Sequence, residues 1–293
     1  MHLDAEDDFP AADRGIAQFD LDEFSLLDSI SADTVTSVAR AGFMPMATMA
    51  WDGIVDDASE SGLVPGTPKV QPARSPLFIL TPKLHYQRCL LHPAAAHITR
   101  TVRRESSRYL FSMNHAFDAV LGNCVGRHGD GWLVPDLVRS FSVLHSQRMD
   151  SPVAFVSAEV WTDAGTGEAG LPASPRLVAG EIGYLIGSVY ASLTGYSSVS
   201  GAGSVQLGAL GAFLAGAGVG IWDLGMSLGY KHALGGRVYG RQEFLSLLYD
   251  GYATAPDTVV AIAGRVGPRS AREIIDAAAP LRSLHDGRIL TAP

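Results

Sequence analysis

Asp223 closes the apolar stretch VGIWDL and is followed by Leu224 and Gly225. An acid at the end of a buried strand is costly unless it is paired or functional, and strand ends are where α/β proteins carry their sites. Sequence alone leaves a functional acid and a salt-bridged turn acid equally open. Glu159, in SAEVW, is a second acid within a strand pattern; alternation equally allows it an outward position. Arg100, Arg103 and Arg104 fall near one stripe of a helix, which Arg108 joins if the helix runs that far. Arginine binds phosphate bidentately, so the stripe suits a phosphate backbone as well as a solvated face, with Glu105 as the local compensating acid. The segment SSVSGAGSVQLG precedes a helical stretch, where free backbone N–H groups could meet an anion. It lacks the GK[ST] of a P-loop, and a connector that permits close packing is the simpler account. No HExxH or Cys/His spacing suited to zinc occurs among the nine histidines and two cysteines, and GxSxG is absent.

These residues need elements to position them. ISADTVTSVARAGF reads as a helix capped by Ser31 or Asp33 and ending at Gly42. LFIL and YQRCLL read as short strands, and a helix carrying HITRTVRR is expected from about Ala94. Next come a strand at YLFSMN, a helix at HAFDAVLGNCVGR, and a helix from about Pro135, where proline suits the first turn. VAFVSAEVWT is a strand, and RLVAGEIGYLIGSVYASLTGY one or two more. Residues 204–217 are helical, VGIWDL is a buried strand, and RQEFLSLLYDGY and SAREIIDAAAPLRSL are helices. Residues 52–76 and the segment DAGTGEAGLPASP read as loops. Strands and helices alternate, which predicts an α/β fold.

The chain has 293 residues, 47% of them hydrophobic and 18% charged, which excludes a disordered or collagen-like polymer. Two cysteines, Cys89 and Cys124, cannot build a disulfide framework, and they fit a reducing, cytoplasmic setting. No signal peptide is evident at the acidic N-terminus. From Ile182 to Trp222 there is no Asp, Glu, Lys, Arg or His. Its glycines and its polar Ser/Gly break favour strand, loop, helix and strand in a buried core over a membrane span. A net charge of −8 argues against a general nucleic-acid binder. Yet residues 1–33 hold ten carboxylates and one arginine, so the remainder carries +1. A near-neutral body with a local arginine stripe is compatible with gripping one end of a nucleic acid.

The order of these pieces resembles the leucyl/phenylalanyl-tRNA–protein transferases. ISADTVTSVARAGFMP is similar to the family's L-S-P-x-x-L-L-x-A-Y-x-x-G-I-F-P-W, and HITRTVRR to its H-I-S-R-S-M-K-R. GDGWLVPDLVRSFSVLH, SAEVW, LVAGEIGYLIGSVY, IWDL and YKHALGGRVYGRQEF follow in the family's order, over about residues 30–250. Residues 1–30 read as an acidic arm from their composition; after it the resemblance implies a small N-terminal α/β domain (31–92) and a larger domain (93–293) similar to GNAT-type N-acetyltransferases, a mixed sheet flanked by helices. It implies transfer of an amino acid from a charged tRNA to the N-terminal amine of a protein or peptide, the N-degron tagging reaction, with aminoacyl-tRNA as co-substrate. No metal or other cofactor is implied, since the ester is already activated.

Carried over by position, Arg100, Arg103 and Arg104 match the basic helix that meets the tRNA acceptor end. Trp132 matches the tryptophan near the terminal adenosine, and Asp223 the strand-end acid at the reaction centre. Gly225 stands where the family has glutamine, Leu193 where it has the glutamate that recognises a basic acceptor, and Tyr230 opens the stretch that replaces H-T-A-S-L-G-A. Leucine cannot pair with Arg or Lys, so the resemblance implies altered specificity. Glu181 sits where the family often has an apolar pocket residue and is a candidate substitute carboxylate; with Glu159 it completes the substrate-binding candidates. The uncharged helix at 204–217 suggests either a protein partner or a tightly covered helix. Two other readings stay open: an acyl-CoA-dependent N-acyltransferase, and a non-enzymatic peptide-binding module on the same fold.

Overall fold

The cap read at Ser31 forms in the computed structural model, which describes residues 24, 26, 27, 29–50, 77–129, 131–162, 174–254 and 261–278. Ser31 Oγ accepts from Thr34 N at 3.2 Å, and Thr34 Oγ1 accepts from Ser31 N at 2.9 Å. This reciprocal pair starts α1 (Ala32–Arg40), which buries Val35, Val38 and Ala39. β1 (Ala47–Ala50) and β2 (Leu77–Leu80) form a two-stranded antiparallel ribbon, and β3 (Gln87–Leu91) follows. The acidic arm up to residue 23, the loop 52–76 and the loop 163–173 lie outside the described residues.

The single helix expected from Ala94 is instead two pieces. A 3₁₀ turn, Pro93–Ala95, ends where Ala96 turns extended (ψ 125°). The His97 N–H then leaves the helix to bond Leu234 O at 2.7 Å. Thr99 Oγ1 caps a fresh start at 3.2 Å from Val102 N, giving the short α2 (Arg100–Glu105). β4 (Tyr109–Met113), α3 (Phe117–His128), α4 (Pro135–Ser146) and β5 (Ala154–Thr162) fall where the pattern predicts. So do β6 (Leu177–Ile186), β7 (Val189–Ser197), α5 (Ala202–Gly216) and β8 (Ile221–Asp223). After them come α6 (Gly229–Ala233), β9 (Arg237–Gly240), α7 (Arg241–Tyr252), β10 (Val266–Ser270) and α8 (Ala271–Ala277).

Eight strands form one mixed sheet in the order β10-β4-β5-β6-β7-β8-β3-β9. Every neighbour pair is antiparallel except β7 with β8. β3 lies inside this sheet, so the segment before residue 92 contributes a strand to it. Helices cover both faces: α1, α3, α4 and α7 bury one apolar cluster and α5 with α8 another. α5 carries no charge and is buried along most of its length, as suits a helix packed on several sides. The sheet, α2, α8 and the turn at Pro93 pack around it. A Cβ at Gly211 would come within 2.9 Å of the Trp222 ring, and one at Gly208 within 3.1 Å of Val102, so glycine sets this close approach. The uncharged helix is thus largely packed against its own chain, in line with the covered-helix alternative. Among the described residues no helix is long and apolar enough to cross a membrane.

Candidate active site

The sheet opens at its one parallel pair. β7 and β8 are in register only from Val189–Ile221 to Ala191–Asp223. β7 then continues to Ser197 along β6, while the chain after Asp223 turns away. Leu224 N donates to Cys89 O at 2.9 Å and Cys89 N donates to Gly225 O at 2.8 Å, which draws the turn towards β3. Gly225 makes that turn with φ +72°, a conformation that costs a side-chain-bearing residue strain. That geometry is a physical reason for glycine at this position. Between the parted carboxyl ends lies a cleft of about 910 Å³. Its walls come from β7, the start of α5, α2 and residues 224–234, with Met44, Met46, Lys83 and His85 from the opposite side.

Four of the residues singled out from sequence share this cleft: Trp132, Glu181, Leu193 and Tyr230. Glu181 is 4% exposed. Its Oε1 accepts from Tyr190 Oη at 2.9 Å and Ser192 Oγ at 2.7 Å, and its Oε2 from Gln206 Nε2 at 2.8 Å. Burial pushes its carboxyl above the usual range, against the pull of these three bonds and of Lys231. A raised folded-state pKa favours the protonated form, so this stability term is complete below the ordinary value of 4.5 and is lost as pH rises through the raised one. Glu181→Gln is therefore expected to gain on the native chain between pH 4.5 and that raised value, by up to about 1.4 kcal/mol per pH unit. Urea denaturation of both chains across pH 4–8 tests this; a difference that does not change with pH contradicts it.

Asp223 does not line the cleft. It is 2% exposed, on the α1/α7 side of the sheet. Arg88 Nη1 donates to its Oδ2 at 2.6 Å and Gly225 N to its Oδ1 at 2.8 Å. Engaged at both oxygens and absent from the cleft lining, this carboxylate supports the turn from beneath. Gly225 likewise lies beneath the wall. Glu159 is neither outward-facing nor in the cleft. It is fully buried, with Ser112 and Ser157 hydroxyls at 2.5 Å and the N–H groups of His115 and Ala116 at 3.2 Å, so it anchors the entry to α3. The two acids point to opposite faces because Glu159 opposes Gly180 while Glu181 opposes Ala158 across β5 and β6.

The arginine stripe is also more compensated than the sequence suggests. Arg103 pairs with Asp276 of α8, and Glu105 bonds both Arg104 and Arg108. Arg100 is exposed and makes no ion pair among the described residues. Thr99 and Val102, beside these arginines, line the cleft.

Three site residues escaped the sequence reading. Arg88 is 2% exposed and also donates to Gly42 O at 2.8 Å; a lone charge inside the strand pattern YQRCLL was its signal, since such a charge needs a buried partner. Lys231 donates to Leu224 O and to Met226 O, the latter at 3.0 Å, and burial lowers its ammonium pKa. His85 lines the cleft at 4% exposure. Among the described residues no three His, Cys, Asp or Glu gather as a metal site.

Fold and cleft thus define a mixed α/β protein with a substrate-sized opening at the ends of a parallel strand pair. The sequence model of the family "Leucyl/phenylalanyl-tRNA protein transferase" matches residues 90–249, which include Trp132, Glu181, Leu193, Asp223, Tyr230 and Lys231, while Met44, Met46, Lys83, His85 and Arg88 precede it. Three curated relatives carry the name leucyl/phenylalanyl-tRNA–protein transferase. The one from Azoarcus sp. is 26% identical over 162 residues, 54% of this chain and 62% of the relative. That from Flavobacterium johnsoniae is 26% identical over 157 residues, 52% and 66% respectively. That from Pectobacterium atrosepticum is 34% identical over 61 residues, 20% and 26%. Each match spans less than two thirds of the relative's length. The chain belongs to the leucyl/phenylalanyl-tRNA–protein transferase family.

Proposed function

We propose that this chain moves an amino acid from a charged tRNA to the N-terminal amine of a protein or peptide, a protein modification of the N-degron kind. The observation that carries the reading is the cleft itself, which joins apolar walls, a cationic rim and a single buried carboxylate within the family-matched region. Met44, Met46, Leu193 and Leu207 suit an apolar aminoacyl side chain. Trp132 and Tyr230 offer ring faces to the terminal adenosine. Lys83 and Arg127 on the rim, with Arg100 on α2 and Arg103 and Arg104 behind it, favour the acceptor-end phosphates. Among the described residues Glu181 is the one carboxylate in the cleft lining, and an incoming amine meets it by displacing one of its three donors. Asp223 acts beneath, holding the turn at Gly225.

The reaction joins an α-amine to an ester that is already activated, so positioning and electrostatic stabilisation carry the catalysis, with no cofactor beyond the charged tRNA. Leu193 in place of the family's glutamate goes with an acceptor other than a basic residue. A GNAT-like unit over 93–293, its sheet completed by β3 from the preceding segment, fits the parallel pair parting within an otherwise antiparallel sheet. The smaller unit over 31–92, the acidic arm 1–30 and a cytoplasmic location complete the reading.

A mixed pool of charged tRNAs, labelled in the amino acid, is assayed against a panel of N-terminal peptides. Transfer of label is the expected result, falling about tenfold or more in Arg100→Ala with the loss in KM for tRNA. No transfer with any charged tRNA overturns the reading. Peptide binding without turnover would then favour the binding module, and binding of a CoA thioester the N-acyltransferase.

A further inference from the structure

His85 is held from both sides. Arg241 Nε donates to its backbone oxygen at 3.2 Å and Arg241 Nη2 to Leu84 O at 2.6 Å, which fixes the segment in the cleft wall. Its ring Nδ1 faces Arg88 Nη2 at 3.5 Å. Arg88 is itself immobilised by Asp223 and Gly42 O. A guanidinium can only donate, so Nδ1 must present its lone pair. Burial first, then Arg88, Lys83, Lys231 and Arg241, hold the imidazole pKa down to about 3. The ring is neutral at pH 7, and its one proton is on Nε2. That atom is buried and has no hydrogen-bond partner among the described residues. An unpaired buried donor in a native fold calls for an explanation.

We infer that the Nε2–H of His85 donates a hydrogen bond to the carbonyl oxygen of the aminoacyl ester as transfer proceeds, an inference that rests on the aminoacyl-transfer reading above. The electrostatics select that oxygen. Four cationic side chains act on His85, so an acceptor gaining negative charge is favoured at Nε2. When the amine nitrogen bonds to the carbonyl carbon, the C=O π pair moves onto the carbonyl oxygen. Collapse restores the carbonyl and breaks the bond to the ribose oxygen, which leaves with the proton that the amine gives up. The carbonyl oxygen gains and then returns charge, which a fixed N–H donor in the wall can meet with no proton transfer of its own.

The test compares His85→Phe, which keeps a ring and loses the donor, with His85→Gln, whose amide N–H reaches towards the Nε2 position. The expected result is a kcat lower by about 10²–10³ in the Phe variant, an unchanged KM for charged tRNA, and recovery of about tenfold or more in the Gln variant. A Phe variant with kcat within about threefold of the native chain, or with its loss confined to KM, overturns the assignment while leaving the transferase reading intact. A native chain that transfers nothing overturns the reading and the assignment with it. Thermal melting checks that each variant folds; should Phe fail, His85→Asn, whose shorter amide cannot reach the Nε2 position, is the donor-lacking chain. A second readout is the affinity for a tetrahedral phosphonate analogue of the aminoacyl-adenosine ester over its planar amide. That preference is expected to weaken by about tenfold or more without the donor, and an unchanged preference overturns the assignment.

Discussion

Arg88→Met is expected to lower the unfolding free energy by about 3–5 kcal/mol, because it leaves the Asp223 carboxylate buried with the Gly225 N–H as its remaining donor. The loss exceeds that of a surface ion pair, which is worth about 0–1 kcal/mol, since both side chains are at most 3% exposed. Arg88 also ties β3 to the end of α1 through Gly42 O and lies with its guanidinium 5.0 Å from the Phe244 ring centroid. The double variant Arg88→Met/Asp223→Leu removes both charges and is expected to recover most of the lost stability, as apolar replacements of buried pairs do. Urea denaturation of the two single variants and the double one gives the coupling directly. A loss under about 1 kcal/mol in Arg88→Met contradicts the account. The double variant also separates support from chemistry. Transfer that returns with the stability shows a supporting pair, whereas a folded double variant still poor at transfer shows that the charges themselves act at the site.

Gly183→Val should be about as damaging, costing about 3 kcal/mol by overpacking and by the loss of a donor to Glu181. A Cβ at Gly183 would lie 2.5 Å from the Tyr190 hydroxyl, 2.6 Å from its ring and 2.6 Å from Ala191 O. The backbone oxygen cannot yield, and Tyr190 can move only by abandoning Glu181 Oε1. The register shift between Ile182 and Gly183 sits at this point, so the irregularity and the glycine serve one arrangement. Thermal melting should show the drop. Tyr190→Phe, which loses the hydroxyl and keeps the ring, should show a smaller one. Equal melting temperatures for Gly183→Val and the native chain would contradict this packing account.

Much of the sheet was legible because its strands and helices obey simple periods. The Ser31 cap, the proline at the start of α4 and the alternating run of β5 each force their element locally. β9 and β10 were not legible. Arg237–Gly240 and Val266–Ser270 are mostly exposed and hold glycine or proline, so no apolar alternation marks them; their pairing with β3 and β4 alone makes them strands. At the site, motif order brought Trp132, Glu181, Leu193 and Tyr230 together. It did not show that Asp223 and Glu159 lie outside the cleft lining, because a sequence states that an acid is buried before it states which partner neutralises it. Arg88 and His85 were missed for the converse reason: their roles depend on contacts with Asp223 and with each other, 135 and 3 residues away.

The position of β3 bears on how the chain reaches this fold. Its neighbours are β8 and β9, at residues 222–223 and 237–240. The slot that β3 fills does not exist until the ribosome has delivered the chain past residue 240. Until then an apolar strand waits without partners, and closing so long a loop is slow. Such sheets are prone to off-pathway association during synthesis. Refolding should accordingly be slower, and more dependent on protein concentration, than helix content would suggest, with the site assembling only as the last pairings form.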